Sequence, residues 1–107
     1  MGLFSFGERD VHKALGQTAP GVRWRVVSDA SNPRVWYAAL QREARPQFPS
    51  LSVEQAQMLA PDVWANLRAL RARVSRIEIW VEADSGKWVG ASEAGTSVLD
   101  SLPPQFA

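Results

Sequence analysis

The sequence predicts an α+β fold, in which a small, mostly antiparallel sheet carries helices packed on one face. Two stretches alternate apolar and charged residues with the period of a half-buried strand. The middle of the chain instead repeats apolar residues at the three-to-four spacing of a helix. With 107 residues, the chain fits a single domain over residues 1–107 and hardly two.

Three strands are predicted, at about 22–28, 76–83 and 87–91. The second is the clearest, because isoleucine and valine alternate with glutamate and tryptophan along it. Ser85-Gly86 then supplies a tight turn into the third strand. In that register Trp88 lies opposite Ala83, on the inward, apolar face of the hairpin.

The first predicted strand places Arg23 and Arg25 on its outward face and Trp24 in the core. The second strand carries Glu78 and Glu82 on its own outward face. If the two strands are neighbours, the arginines and glutamates form cross-strand pairs. The two glutamates are ~13 Å apart along a strand, which is too far for a pair of catalytic carboxylates.

Three helices are predicted, at about 33–44, 52–59 and 61–75. For the first, Asn32-Pro33 has the form of a helix start, and the alanine-rich residues 38–44 favour a helix. Val35-Trp36-Tyr37 favours a strand instead, which would form a hairpin with the strand at 22–28. We expect the helix and keep the hairpin as the alternative.

The other two helices have clear start signals. Ser52 and Gln55 form a capping box at the start of the second, and Pro61 opens the third. The buried stripe of the third helix is expected to be Val63, Leu67, Leu70 and Val74. Shorter elements are expected near the chain ends: a helix over 8–15 stopped by Gly16, and one helical turn over 96–102.

Both ends of the chain are expected to be flexible: an apolar arm over residues 1–7 and a proline-rich tail over 103–107. Phe4 and Phe6 in the arm, and Phe106 in the tail, are apolar side chains that gain from docking onto a neighbouring subunit. We therefore count Phe4 and Phe6 among the candidate binding residues.

Composition excludes several kinds of site. The chain has no cysteine and one histidine, His12, so disulfides, thiolate metal sites and multi-histidine zinc sites are excluded. Ser85-Gly86-Lys87 lacks the glycine and the hydroxyl residue that a phosphate-binding P-loop requires at positions 81 and 88. We expect no cofactor, no metal, no membrane span and no enzyme; a small enzyme using His12 is the least favoured hypothesis.

The most unusual feature of the composition is the number of tryptophans, which is five. Trp80 lies on the outward face of its strand, which either the protein's own helices cover or a partner contacts. Trp36 lies beside a core stripe, so both tryptophans are candidates for contacting a partner. The leading hypothesis is a non-enzymatic protein–protein interaction or structural module. It would be a bacterial or phage adaptor, assembly component or inhibitor, in the cytoplasm or a virion, that binds another protein or itself. Trp80→Ala should then weaken association more than folding.

The alternative is a nucleic-acid-binding module. Ten of the twelve basic residues are arginine, a side chain suited to bidentate phosphate contacts. Arg68, Arg71, Arg73 and Arg76 would make the helix over 62–76 basic. Against this, the net charge of the whole chain is +1, which gives little global attraction for a polyanion.

Overall fold

A computed structural model describes residues 6–40 and 52–106. Within these residues, two α-helices, five strands and a short 3-10 helix give an α+β fold, as predicted. The elements, in chain order, are α1 (Phe6–Thr18), β1 (Arg25–Ser28), β2 (Val35–Leu40), α2 (Val53–Ala69), β3 (Arg76–Glu82), β4 (Trp88–Ser92), β5 (Gly95–Leu99) and the 3-10 helix Pro104–Phe106.

The strands form one open sheet in the order β1-β2-β3-β4-β5. Neighbouring strands are antiparallel except β2 and β3, which are parallel and are joined by a connection that contains α2. A parallel pair requires such a crossover because its strands run in the same direction. α2 packs over β3 and β4, and α1 packs against α2 and β1.

The larger core lies between the helices and one face of the sheet, and we call it the helix-facing core. The sheet and helix side chains buried in it are mainly aliphatic, and they include Trp36, Ala38, Leu40, Ile77, Ile79, Val81, Ala91, Val11, Leu15, Val63 and Leu67. The indole nitrogens of Trp24 and Trp36 are buried here without a hydrogen-bond partner among the described residues.

A second core lies on the opposite face of the sheet. Its buried members are Tyr37, Ala39, Trp80, Trp88 and Phe106. The segment over 102–106 supplies its outer layer, because Leu102 packs against it and Phe106 is 1% exposed. The central strands of the sheet are therefore covered on both faces, by helices on one and by the C-terminal segment on the other.

Residues 35–40 form a strand, so the predicted helix over 33–44 is wrong and the hairpin alternative is confirmed for this stretch. The Asn32 carbonyl accepts from the Val35 amide, which closes a turn with Pro33 at its second position. Ala38 and Ala39 occupy a central strand between β1 and β3, where burial on both faces overrides their helix propensity. Residues 41–44 lie outside the described residues.

One helix replaces the two predicted at 52–59 and 61–75, because α2 runs through Pro61. The capping box of Ser52 and Gln55 at its start is confirmed. Pro61 is exposed and, having no amide hydrogen, leaves one carbonyl of the preceding turn without its usual helical partner.

α2 ends at Ala69, six residues before the predicted end. The Arg71 amide donates to the Arg68 carbonyl and the Ala72 amide donates to the Leu67 carbonyl, which is the hydrogen-bond pattern of a Schellman motif. Arg71 has a φ of 54°, a left-handed conformation that glycine usually adopts and that costs other residues about 1 kcal/mol.

The β3–β4 hairpin has a three-residue loop, and this places Trp88 on the opposite face from the predicted one. The Ala83 amide donates to the Lys87 carbonyl, and Gly86, with a φ of 87°, follows the turn. Trp88 therefore lies opposite Glu82 instead of Ala83. A slip of one residue moves a side chain to the other face of a sheet, so Trp88 belongs to the second core.

The chain ends also differ from expectation. α1 begins at Phe6, within the predicted arm, and continues through Gly16 to Thr18. There the Thr18 hydroxyl accepts from the Asn66 side chain of α2. The predicted helical turn over 96–102 is instead strand β5, which is followed by a C-terminal segment packed on the second core rather than a free tail.

Candidate interaction surfaces

The two tryptophans predicted to bind a partner are both buried. Trp36 is 3% exposed in the helix-facing core, and Trp80 is 4% exposed in the second core. Phe6 is the first residue of α1, and Phe4 lies outside the described residues. Trp36 and Trp80 therefore lie in opposite cores and do not form a common surface.

Trp80 also has its polar atom satisfied. Its indole nitrogen donates to Glu78 Oε1 at 3.1 Å, and the other carboxylate oxygen of Glu78 lies 2.9 Å from an Arg76 guanidinium nitrogen. The predicted pairing of Arg23 and Arg25 with the β3 glutamates assumed neighbouring strands, but β2 lies between β1 and β3. The strand predicted at 22–28 also begins only at Arg25, so Arg23 precedes it.

Arg25 instead holds the C-terminal segment. Its guanidinium donates to the Phe106 carbonyl at 2.5 Å and lies 5.7 Å from the centre of the Phe106 ring. The Phe106 ring meets Tyr37 edge to face, with 6.3 Å between centroids. These contacts hold the short 3-10 helix against β1 and β2, and they join residues that are far apart in the sequence.

The turn between β1 and β2 contains Asp29, a carboxyl group whose pKa is lowered. The Tyr37 hydroxyl donates to Asp29 Oδ2 at 2.6 Å, and the Ser31 hydroxyl and amide donate to Oδ1 at 2.7 and 2.8 Å. These hydrogen bonds lower the pKa of Asp29 from 3.8 to about 2. Burial, followed by the bond to Asp29, raises the pKa of Tyr37. The arrangement ties the turn to the sheet.

The predicted basic residues are all exposed, but only Arg68 lies on a helix. Arg71 and Arg73 lie in the loop that follows α2, and Arg76 is the first residue of β3. The structure adds Arg34, whose carbonyl accepts from the Ser75 amide at 2.8 Å. We call these five residues the basic end, because they lie on the last turn of α2, in the loop that follows it, and at the paired starts of β2 and β3.

The outer edge of β5 is a further surface, which sequence analysis missed because it predicted a helical turn there. Every residue of β5 is exposed. Val98 is 59% exposed on the helix-facing side, and Leu99 is 38% exposed on the other. The sequence signal for this strand was an uncharged run of residues with β propensity after the Ser92-to-Gly95 turn.

Two concave regions lie on the described part of the surface. A cavity of about 600 Å³ lies between the start of α2 and the ends of β2 and β3, and its polar lining includes Glu54, Glu82 and Asp84. An apolar groove of about 450 Å³ lies between the end of α1 and α2, beside the exposed Met58. His12 is exposed on α1 and lines neither.

Among the described residues, no group of histidine, cysteine, aspartate or glutamate side chains is arranged to hold a metal ion. Within the same ranges, neither helix combines the length and apolar character needed to cross a membrane. Comparison of the chain with protein-family models, with curated proteins and with solved structures found no match.

Proposed function

We propose that this protein is a non-enzymatic protein–protein interaction module that self-associates by extending its sheet through β5. The observation that carries this proposal is the open edge of β5. Among the residues that the structure describes, β5 pairs only with β4, so alternate amide and carbonyl groups along its outer side have no strand partner.

The two edges of the sheet differ in how they are protected. β1 spans four residues, begins with the charged Arg25, and is packed against α1 and the 3-10 helix. β5 spans five residues and contains no charged residue and no proline. Charge, proline and a covering element are the usual means by which an edge strand avoids pairing. β1 uses the first and third of these means, whereas β5 uses none of the three within residues 6–40 and 52–106.

A second copy of the chain is the partner that fits this edge. Two uncharged β5 strands approach each other without like-charge repulsion. In a two-fold symmetric dimer, the same residues of each copy form the contact. An antiparallel pair centred on Ser97 sets Thr96 opposite Val98 of the second copy, and Gly95 opposite Leu99. The exposed valine and leucine side chains then lose water contact in both copies.

Light scattering coupled to size exclusion tests the proposal with the full chain. We expect a concentration-dependent mass that rises towards twice the monomer value between about 5 and about 500 µM, the range of a weak edge-to-edge contact. Val98→Lys places a charge at the edge and should keep the protein monomeric. Its melting temperature should stay near that of the unmodified chain, because Val98 is 59% exposed.

The matched control is Met58→Lys, which introduces the same charge in place of another apolar side chain, 75% exposed on α2. This variant should associate as the unmodified chain does. A mass that stays monomeric over the whole range overturns the proposal. Loss of association in both lysine variants also overturns it, because the effect would then come from net charge and not from the β5 edge.

A further inference from the structure

The basic end is a separate surface from the β5 edge. Arg34, Arg68, Arg71 and Arg73 are all exposed. In residues 6–40 and 52–106, none of these four guanidinium groups forms an ion pair, whereas Arg76 pairs with Glu78. A concentration of unpaired like charge raises the local potential even where the net charge is small.

The carboxylates close to these arginines in the sequence are already engaged. Asp29 accepts from Tyr37 and Ser31, and Glu78 binds Arg76 and the Trp80 indole. Within the described ranges, neither carboxylate forms an ion pair with Arg34, Arg68, Arg71 or Arg73. The four arginines are exposed to solvent, where an anionic ligand can reach their guanidinium groups.

Arg71 supplies an independent observation. Among the described residues it is the one non-glycine residue with a positive φ. It occupies the position after the C-cap Leu70, where glycine is usual because a left-handed backbone crowds any Cβ. A strained arginine in place of glycine suggests that its side chain has a function that glycine cannot perform.

We propose that the basic end binds the phosphodiester backbone of nucleic acid, without reading its bases. Phosphates are contacted by arginine and asparagine side chains, and Asn32 stands beside Arg34. An acidic protein segment is the weaker fit, because protein interfaces rely on apolar anchors. The large exposed apolar residues in the described ranges are Met58, Val98 and Leu99, and none belongs to the basic end.

The test is fluorescence anisotropy of labelled probes with the full chain: a 20-nucleotide oligothymidylate, a 20-base-pair DNA duplex and a poly-glutamate peptide. Four phosphate contacts predict that affinity for the single strand falls about 50-fold between 50 and 200 mM salt. Binding of either DNA probe with this steep salt dependence supports the proposal. Salt-independent binding, no binding, or tighter binding of the peptide overturns it.

Arg71→Gly separates a ligand role from a structural one. Glycine relieves the backbone strain, so the melting temperature should stay the same or rise. DNA affinity should fall about fivefold at 0.1 M salt, because one phosphate contact is lost. Arg71→Lys, which keeps the charge, should recover most of that loss.

Lys87→Gln is the matched control for charge. Lys87 lies in the hairpin beyond the far end of β3, about 20 Å along the strand from Arg76. Its loss should change DNA affinity by less than about twofold. An equal fall in Lys87→Gln and Arg71→Gly overturns the proposal, since attraction would then be spread over the whole molecule. Val98→Lys should still bind DNA, so this proposal can fail or succeed independently of the β5 edge.

Discussion

The indole ring of Trp80 lies against the backbone of Gly90, its partner on β4. A Cβ atom built on residue 90 would stand 2.4 Å from Cε2 of that ring and 2.5 Å from Cζ2. Such distances are far inside van der Waals contact, so only glycine leaves room for the indole. Ala39, on the other side of Trp80 in β2, is the smallest chiral side chain and makes similar room.

Gly90→Ala should therefore destabilise the fold by about 3 kcal/mol, because a buried indole must shift within a packed core. Urea unfolding measures this loss. Gly16→Ala is the matched control, since a Cβ at the exposed Gly16 of α1 has nothing within 4 Å. That variant should gain about 0.7 kcal/mol from helix propensity. Equal stability of the two variants would contradict the packing of Trp80 on Gly90.

The position of Trp80 changes what its substitution is expected to do. From the sequence, Trp80→Ala should weaken association more than folding, because Trp80 lies on the outward face of its predicted strand. In the structure, β3 is a central strand and the second core covers the indole. Its loss should now mainly reduce stability, and the association test moves to Val98.

Phe106→Ala tests whether the C-terminal segment is part of the fold. Phe106 is 1% exposed and contacts Tyr37, so its truncation should cost about 3 kcal/mol. Trp80 and Trp88 should also become more exposed, which a red shift of tryptophan emission reports. Pro104→Ala, at an exposed position in the same 3-10 helix, should stay within about 0.5 kcal/mol of the unmodified chain. A free tail would make both variants neutral.

Local signals predicted some elements of the fold well. The capping box at Ser52 and the alternation in β3 involve residues within a few positions of each other, and both are confirmed. The wrong helix over 33–44 depended on tertiary context instead. The alanines of β2 favour a helix in isolation, but they are buried between two neighbouring strands that the local sequence does not specify.

The candidate surfaces were predicted less well, for two physical reasons. One added residue in the β3–β4 loop reversed the face of Trp88, and turn length is weakly encoded in a Ser-Gly pair. The basic residues were predicted on one helix, whereas the Schellman motif at Arg71 ends α2 before most of them. Arg34 joins them only through the parallel pairing of β2 and β3, a contact between residues distant in sequence.

The start of α2 offers a direct test of the confirmed capping box. The Ser52 hydroxyl accepts from the Gln55 amide at 3.1 Å, and the Gln55 side chain accepts from the Ser52 amide at 2.9 Å. Ser52→Ala should cost about 1 kcal/mol in urea unfolding, because it leaves an amide at the helix start without its acceptor. Gln57→Ala, an exposed change inside the same helix, should have less than half that effect. Matching losses would argue against the cap.

Asp29 should make the free energy of unfolding depend on pH. Hydrogen bonds from Tyr37 and then Ser31 lower its pKa from 3.8 to about 2. A carboxyl group with a lowered folded-state pKa stabilises the fold above its unfolded pKa. That contribution is lost as pH falls from about 4 towards about 2. Asp29→Asn should thus be less stable than the unmodified chain at neutral pH, and the difference should shrink through this window.

Melting temperatures recorded between about pH 7 and about pH 2 measure that difference. Tyr37→Phe removes the largest cause of the shift, so the pKa of Asp29 should return towards its ordinary value and part of the acid dependence should disappear. Parallel curves for the unmodified chain and Asp29→Asn over the whole range would mean that the Tyr37–Asp29 hydrogen bond does not hold the carboxylate in its charged form.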